Sequence, residues 1–131
     1  MLCLPAVIEQ LFSSSNYQAT KQLLDVSVRR HEALARNIAN AETPGYKRVD
    51  LPKDFSQELA SRIRAGEAKS LTIPDPVEDL TSTSQQADGN NVDMDKEMLA
   101  LSKNAAEFDT LADFAGGSIK QLRLAISGRN L

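Results

Sequence analysis

The chain has 131 residues, with 18 Asp and Glu against 15 Lys and Arg, so its net charge is −3. This length suits one domain or one elongated subunit. The acidic balance predicts no nucleic-acid partner, because clustered Lys and Arg are what hold a phosphate backbone. Aromatic residues make up only 5% of the chain, and Trp is missing. A core would therefore rely on aliphatic side chains, which suits helices that meet along narrow seams.

The N-terminal stretch sets limits on redox chemistry and on targeting. Cys3 is the only cysteine, which excludes an intramolecular disulfide and a Cys/His metal site. No apolar run approaches the roughly 20 residues of a membrane-spanning helix, so we expect no direct membrane insertion. Residues 1–15 lack a basic segment followed by a long apolar one, so we expect no cleaved secretory signal.

The first predicted element is a long helix over about residues 16–41. Polar residues at 13–16 offer N-caps for it. Apolar residues then recur at intervals of three and four, which is typical of one face of a helix. The pattern is heptad-like, although its second and third members are weak. The members of this stripe are Leu24, Ser27, His31, Leu34 and Ile38.

A proline ends this helix. The residue before Pro44 is pushed out of the helical region, so Thr43 should be extended. The sequence Thr43-Pro44-Gly45-Tyr46 has Pro at the second and Gly at the third turn position, which predicts a type II turn because the third position needs positive φ. The asparagines just before it, Asn37 and Asn40, are expected to satisfy backbone or neighbouring-subunit groups.

The middle of the chain, residues 50–91, shows no long period. A spacing of four from Leu51 to Ile63 predicts a short helix that Gly66 ends. Leu71-Thr72-Ile73 predicts a short strand before two prolines. Residues 81–91 are polar and rich in turn formers, and they predict a loop.

The C-terminal third carries the most regular pattern. Ten apolar residues between positions 94 and 126 recur alternately at four and three, which predicts a helix with more than four heptads. Asp93 is its expected N-cap. Gly116-Gly117 is expected either to permit a close backbone approach or to mark a kink. The residues assigned to the seam on this helix are Met98, Leu101, Phe108, Ile119, Leu122 and Ile126.

These patterns predict a mainly α fold in which two long terminal helices pair as an antiparallel coiled coil, around an irregular or small β-containing middle. The expected boundaries are residues 1–42, 43–91 and 92–131. One helix cannot cover the whole apolar surface of the second, because Leu111, Phe114 and Leu124 lie outside the seam. A helix of this kind needs partners to bury its stripe, so we expect lateral association with other subunits.

The sequence offers no catalytic constellation, and we predict neither cofactor nor metal. His31 is the only histidine, and we interpret it as a packed or edge side chain rather than a base. Residues 88–95 resemble a calcium loop, but Gly at the sixth position and Glu at the twelfth are missing, so we expect a turn plus an N-cap. We interpret Asp93, Asp95 and Glu97 as a solvated first helical turn. The chain is not expected to be an enzyme.

Two segments resemble a known family. Residues 37–47, Asn-Ile-Ala-Asn-Ala-Glu-Thr-Pro-Gly-Tyr-Lys, closely resemble the N-terminal signature of bacterial flagellar rod and hook proteins. Residues 88–98, Asp-Gly-Asn-Asn-Val-Asp-Met-Asp-Lys-Glu-Met, resemble the segment that opens the C-terminal helix of its proximal rod members. The resemblance covers about residues 16–50 and 86–127. The motif residues are Asn37, Ile38, Asn40, Thr43, Pro44, Gly45 and Tyr46.

The resemblance implies a structural subunit of the flagellar basal-body rod, which spans the periplasm and acts as the drive shaft for motility. It implies export through the flagellar type III apparatus without a cleaved signal, and coiled-coil pairing of the terminal helices on assembly. The implied partners are further copies of the same subunit, FliE, and the rod proteins FlgC, FlgF and FlgG. Two alternatives remain open: another axial protein such as FlgC, and a soluble helical adaptor or chaperone that uses the same stripes.

Overall fold

The computed structural model describes residues 14–82 and 86–127. Our expectation for Cys3, and most of the segment for which we expect no cleaved secretory signal, lie outside this part of the chain. The described fold is mainly helical with one small sheet, as expected. Its elements are α1 (Ser15–Ala39), β1 (Val49–Asp50), α2 (Lys53–Arg64), a 3-10 turn (Ala68–Ser70), β2 (Val77–Glu78) and α3 (Met94–Ser127).

Helix α1 lies within two residues of the predicted bounds at each end. At its start the Ser14 hydroxyl accepts a hydrogen bond from the Tyr17 N–H at 3.3 Å, so Ser14 is the N-cap. At its end the Asn40 N–H still bonds to the Arg36 carbonyl at 3.2 Å. The helix therefore stops just short of the proline turn.

The turn after α1 has the geometry expected of type II. Gly45 has φ +72°. The Tyr46 N–H donates to the Thr43 carbonyl at 3.2 Å, which closes the four-residue turn. The chain is thus reversed within a few residues of the end of α1.

Helix α3 runs without interruption from Met94 to Ser127. Asp93 caps it, because its Oδ1 accepts the Lys96 N–H at 3.2 Å. A Cβ placed on Gly116 or Gly117 would meet no atom of the described chain within 4 Å. Within residues 14–82 and 86–127, these glycines make no close backbone approach.

Helices α1 and α3 pack against each other in antiparallel directions. Asn37 of α1 bonds to Glu97 of α3, and ten residues earlier Ser27 bonds to Asn104. The later residue of α1 thus contacts the earlier residue of α3, so the two helices run in opposite directions. Between these two contacts Leu34 is completely buried.

The middle segment contains the predicted short helix, α2, and Gly66 terminates this helix as expected. Gly66 has φ +75°, and its N–H donates to the Ile63 carbonyl at 3.1 Å. The Glu67 N–H donates to the Arg62 carbonyl at 2.9 Å. Together these bonds form a Schellman motif, which satisfies the last carbonyl groups of α2.

The predicted strand at Leu71-Thr72-Ile73 is wrong. The sheet instead pairs Val49 with Glu78 and Asp50 with Val77 in antiparallel register. The Leu71 carbonyl accepts a hydrogen bond from the Gln22 side chain of α1 at 2.6 Å, so this segment is held by a helix. β-Propensity shows which residues suit a strand, but it does not supply the hydrogen-bonding partner that a strand needs. The strand that follows the proline turn, β1, pairs with β2 and not with residues 71–73.

We expect Gly45→Ala to lower the free energy of unfolding by about 1–2 kcal/mol, because an L side chain resists the positive φ of this turn. Urea unfolding followed by circular dichroism measures the change. The control is Gly117→Ala, where the backbone is helical and an added Cβ has open space. It should not destabilise the chain, since Ala is favoured over Gly in a helix by up to about 1 kcal/mol. Equal stability of Gly45→Ala and the unaltered chain would contradict the turn assignment.

Candidate functional site: the clasp between the two motifs

The two family-like segments meet in space and close the C-terminal end of α1. We call this contact between residues 37–50 and 88–97 the clasp. Asn90 is completely buried at its centre. Its side-chain amide donates to three backbone carbonyl groups at 2.9–3.0 Å, those of Asn40, Ala41 and Thr43. Helix ends leave such carbonyl groups without intrahelical partners, so Asn90 caps α1 from a distant part of the sequence.

Two glycine turns lie side by side in the clasp. The Gly45 N–H donates to the Asp88 carbonyl at 3.0 Å, and the Lys47 ammonium donates to the Gly89 carbonyl at 2.7 Å. A Cβ on Gly89 would lie 3.8 Å from the Gly45 Cα. The proline turn and the loop before α3 are therefore joined through their backbones.

The side-chain amide of Asn37 makes the pair of hydrogen bonds to β1 that a neighbouring strand would otherwise make. Its Nδ2 donates to the Val49 carbonyl at 2.8 Å and to Glu97 Oε2 at 2.9 Å. Its Oδ1 accepts the Val49 N–H at 2.9 Å and the Tyr46 hydroxyl at 3.2 Å. The amide thus uses two donors and two acceptor sites while completely buried. Asn37 satisfies backbone groups beside the turn, as its position before the proline indicated.

Glu97 and Arg48 form the ionic centre of the clasp. The Arg48 Nε lies 2.5 Å from Glu97 Oε1, and its two terminal nitrogens lie 2.9 Å from Asp50 and 2.7 Å from Asp79. Only 2% of the Glu97 side chain is exposed. One guanidinium group therefore connects α3 to β1 and to the segment after β2, and its fork geometry suits several carboxylates at once.

Our interpretation of Glu97 as part of a solvated helical turn is wrong. The side chain faces α1 rather than water because Arg48 and Asn37 together satisfy its carboxylate. The sequence held a signal for this position: Glu97, Leu101 and Asn104 are spaced by four and three, which places them on one helix face. Tyr46 and Asn91 also belong to this cluster, since the Tyr46 hydroxyl donates to Asn37 at 3.2 Å and Asn91 accepts the Arg48 N–H at 2.6 Å.

The surroundings of Arg48 and Asp79 favour the charged forms of these two side chains. Burial by itself lowers the pKa of Arg48, but hydrogen bonds to Glu97 and Asp50 outweigh it and raise that pKa above its ordinary value. Burial also raises the pKa of the Asp79 carboxyl. Hydrogen bonds from Thr81 and the charge of Arg48 more than offset this effect, so the pKa lies below its usual value. Hydrogen bonds and neighbouring charges thus outweigh burial at both Arg48 and Asp79.

The predicted seam residues fall into two groups. Leu34 is buried, and Leu24, Ile38 and Leu101 are half-buried within the chain. The side chains that stay exposed are Met98 at 51%, Phe108 at 37% and Ile119 at 43%. The side chains of Leu122 and Ile126 lie outside the described residues. The face of α3 that meets α1 is instead partly polar, through Glu97 and Asn104, so the alternating apolar stripe is left largely uncovered.

The remaining chemical expectations concern the loop before α3 and His31. Asp88 Oδ1 accepts the Asn90 N–H at 3.0 Å, so residues 88–93 form a turn that leads into the Asp93 cap, as expected. His31 is an exposed edge side chain. Within residues 14–82 and 86–127 no cluster of three or more His, Cys, Asp or Glu has metal-binding geometry. No helix in the same ranges is long and apolar enough to cross a membrane.

Comparison with known proteins places the chain among flagellar proteins, although no family model matches it. It is similar to the flagellar basal body rod protein FlgB of Yersinia enterocolitica, with 30% identity over 87% of this chain and 93% of that protein. The FlgB protein of Escherichia coli K12 is 28% identical over 95% of this chain and its own full length. That of Bacillus subtilis is 31% identical over 76% of this chain and 83% of that protein.

A helical subunit with this clasp and these relatives is a structural protein of the bacterial flagellum and not an enzyme. The chain belongs to the family of flagellar basal body rod proteins named FlgB. It is therefore a component of the flagellar basal-body rod, and the resemblance carried by its two motifs is confirmed.

We expect Glu97→Ala to lower the free energy of unfolding by about 1–3 kcal/mol, because it removes a buried acceptor from both Arg48 and the fully buried Asn37 amide. The matched control is the next residue, Met98→Ala, whose side chain is 51% exposed. That change should cost less than about 1 kcal/mol. Urea unfolding of both variants gives the comparison, and similar losses in the two would show that the ion pair is not a main source of stability.

The lowered pKa of Asp79 predicts a dependence of stability on acid. Ionised Asp79 stabilises the fold above its ordinary pKa of 3.8, and this contribution is lost as the pH falls through the lower pKa of the folded state. Asp79→Asn should therefore be less stable than the unaltered chain at pH 7, and the difference should shrink as the pH falls below 3.8 and through the lower pKa of the folded state. Exposed Asp54→Asn serves as control. A difference that stays constant with pH would contradict this assignment.

Proposed function

We propose that the chain is a drive-shaft subunit of the proximal rod, and that it assembles when neighbouring subunits bury the apolar residues along α3. The observation that carries this proposal is the exposure of large apolar side chains on one helix. They are Met94 at 42%, Met98 at 51%, Leu99 at 56%, Phe108 at 37% and Ile119 at 43%. Soluble monomers rarely leave such surfaces uncovered, and extended ones mark interaction sites.

Coiled-coil packing is the proposed mode of this assembly. The heptad spacing of the α3 stripe suits knobs-into-holes contact with helices of adjacent subunits. α1 already occupies the neighbouring face through Leu34, Ser27 and Asn37. Each added subunit would then bury a stripe that the chain alone leaves in water, which couples association to the hydrophobic effect.

The clasp has a mechanical part in this proposal. It ties the end of α1 to the start of α3 through Asn90, Asn37 and the Arg48–Glu97 pair. Such buried, fully satisfied polar networks fix one arrangement of the elements they join. A fixed helix pair suits a shaft that transmits torque, since each subunit then presents its stripe in a constant direction.

Family membership supports the remaining parts of the proposal. The proposed partners are further copies of this subunit, FliE, and the rod proteins FlgC, FlgF and FlgG. The proposed route is the flagellar type III export apparatus without a cleaved signal, which leads to the rod in the periplasm. A chain with one cysteine and few aromatic residues suits passage through a narrow channel in an unfolded state.

The sharpest test introduces a charge on the exposed stripe. Met98→Asp should leave the purified chain as folded as before, because the side chain faces solvent, but it should abolish swimming and remove rods from isolated basal bodies. The half-buried Leu101 is less suitable, since Asp there would also disturb the α1 contact. The control is Gln57→Asp, which adds the same charge to the exposed face of α2.

Normal motility of the Met98→Asp strain would contradict burial of this stripe in the rod. Cell fractionation separates the proposal from a soluble adaptor or chaperone. The proposed subunit co-purifies with basal bodies, whereas an adaptor would remain in the soluble fraction.

A further inference from the structure

A shallow groove lies between α1 and α3, next to the Ser27–Asn104 contact. Its volume is about 300 Å³. Its apolar walls come from Val28, Ala105 and Phe108. Val28 is 45% and Phe108 37% exposed, so these walls stay in contact with water in the single chain. The groove therefore has apolar surface available to an incoming side chain.

The charges on the rim of this groove are negative. Glu32 and Asp109 are its acidic lining residues, His31 also lines it, and no Lys or Arg does. Glu32 also lies 3.3 Å from Arg29, but that pair is exposed and contributes little. Asp109 forms no ion pair with any residue in the described ranges. An occupant with an apolar tip and flanking positive charges would complement this surface.

The C-terminal end of α3 has this combination. Ile119 is 43% exposed, and Gly116 lies one turn before it without a side chain. Lys120 and Arg123 flank Ile119, and they are the only charged residues between 114 and 127. Neither forms an ion pair with another residue that the structure describes. The glycine allows a second helix to approach closely beside the isoleucine.

This end of α3 cannot reach the groove of its own chain. Ala105 and Ile119 are 14 residues apart on one continuous helix, which is about 21 Å. The exposed lining of the groove is mostly apolar, with acidic groups at its rim, which suits an apolar side chain flanked by positive charges on another helix. The occupant that fits by shape and charge is therefore a second copy of this chain.

We propose that Ile119 of one copy docks in the groove between α1 and α3 of the next, with Lys120 and Arg123 against Asp109 and Glu32. This inference rests on the proposed function and specifies one of its contacts. Because the groove and the helix end are different surfaces, the contact is heterologous and repeats from copy to copy. Heterologous contacts that do not close generate helical arrays, which is the geometry a rod requires.

Charge reversal tests the polar part of this contact in cells. We expect Asp109→Lys and Lys120→Glu, each alone, to lower incorporation of the chain into basal bodies by about fivefold, the effect of one ion pair. The double variant restores the attraction with opposite signs and should recover most of the incorporation. Both residues are exposed, so the folded state is unaffected by either change. Failure of the double variant to recover beyond the single ones would overturn the charge pairing.

Cysteine cross-linking tests the apolar part directly. In a Cys3→Ser background, the pair Ala105→Cys and Ile119→Cys cannot form a disulfide within one chain, because the two Cα atoms must lie within about 7 Å. Oxidation of isolated basal bodies should therefore give a ladder of linked copies. The control pairs Ile119→Cys with Glu107→Cys, which lies about 200° around α3 from Ala105. It should give no ladder.

The outcomes separate this inference from the proposed function. A chain that is present in rods but gives no 105–119 cross-link, or equal cross-links in both pairs, would overturn the docking contact alone. A chain that is absent from basal bodies in the unaltered strain would overturn the proposed function itself.

Discussion

The buried contact between Glu97 and Arg48 is the interaction on which the arrangement of this subunit depends. Removing a carboxylate from water is costly unless a charge and hydrogen bonds replace the water. Here Arg48 and Asn37 supply them, and each comes from a different segment. The cost of an incomplete cluster is therefore what forces α1, β1 and α3 into one register. Only 2% of the Glu97 side chain is exposed, so a change that removes one of its partners leaves a carboxylate that water hardly replaces.

The fold separates a polar joint from an apolar surface. The clasp at one end of the helix pair is rich in asparagine and charged groups, which have directional requirements and fix geometry. Along the rest of α3 large apolar side chains, such as Met98 and Ile119, remain exposed. The hydrophobic effect that would bury them is not directional, unlike the hydrogen bonds of the clasp. In the assembly that we propose, the clasp sets the direction of the apolar stripe, and the stripe supplies the association between subunits.

Local rules predicted the elements whose causes are local. The Asp93 cap, the Gly45 turn and the Gly66 helix end each depend on one residue and its immediate neighbours, and each is present. The strand at 71–73 was predicted from the same kind of rule and is absent, because a strand needs a partner from elsewhere in the chain. The exposure of Glu97 was misjudged for a related reason, since Arg48 lies 49 residues away along the sequence.

The sequence by itself determined the two long helices, the proline turn after α1 and the family. Periodicity, caps and motif spacing each depend on residues that are close together in the sequence. Only the tertiary structure decided that Asn90 caps a helix 50 residues away and that Glu97 is buried. It also decided which face of α3 meets α1 and which stays exposed. These choices depend on the free energy of satisfying buried polar groups across segments, which no local pattern encodes.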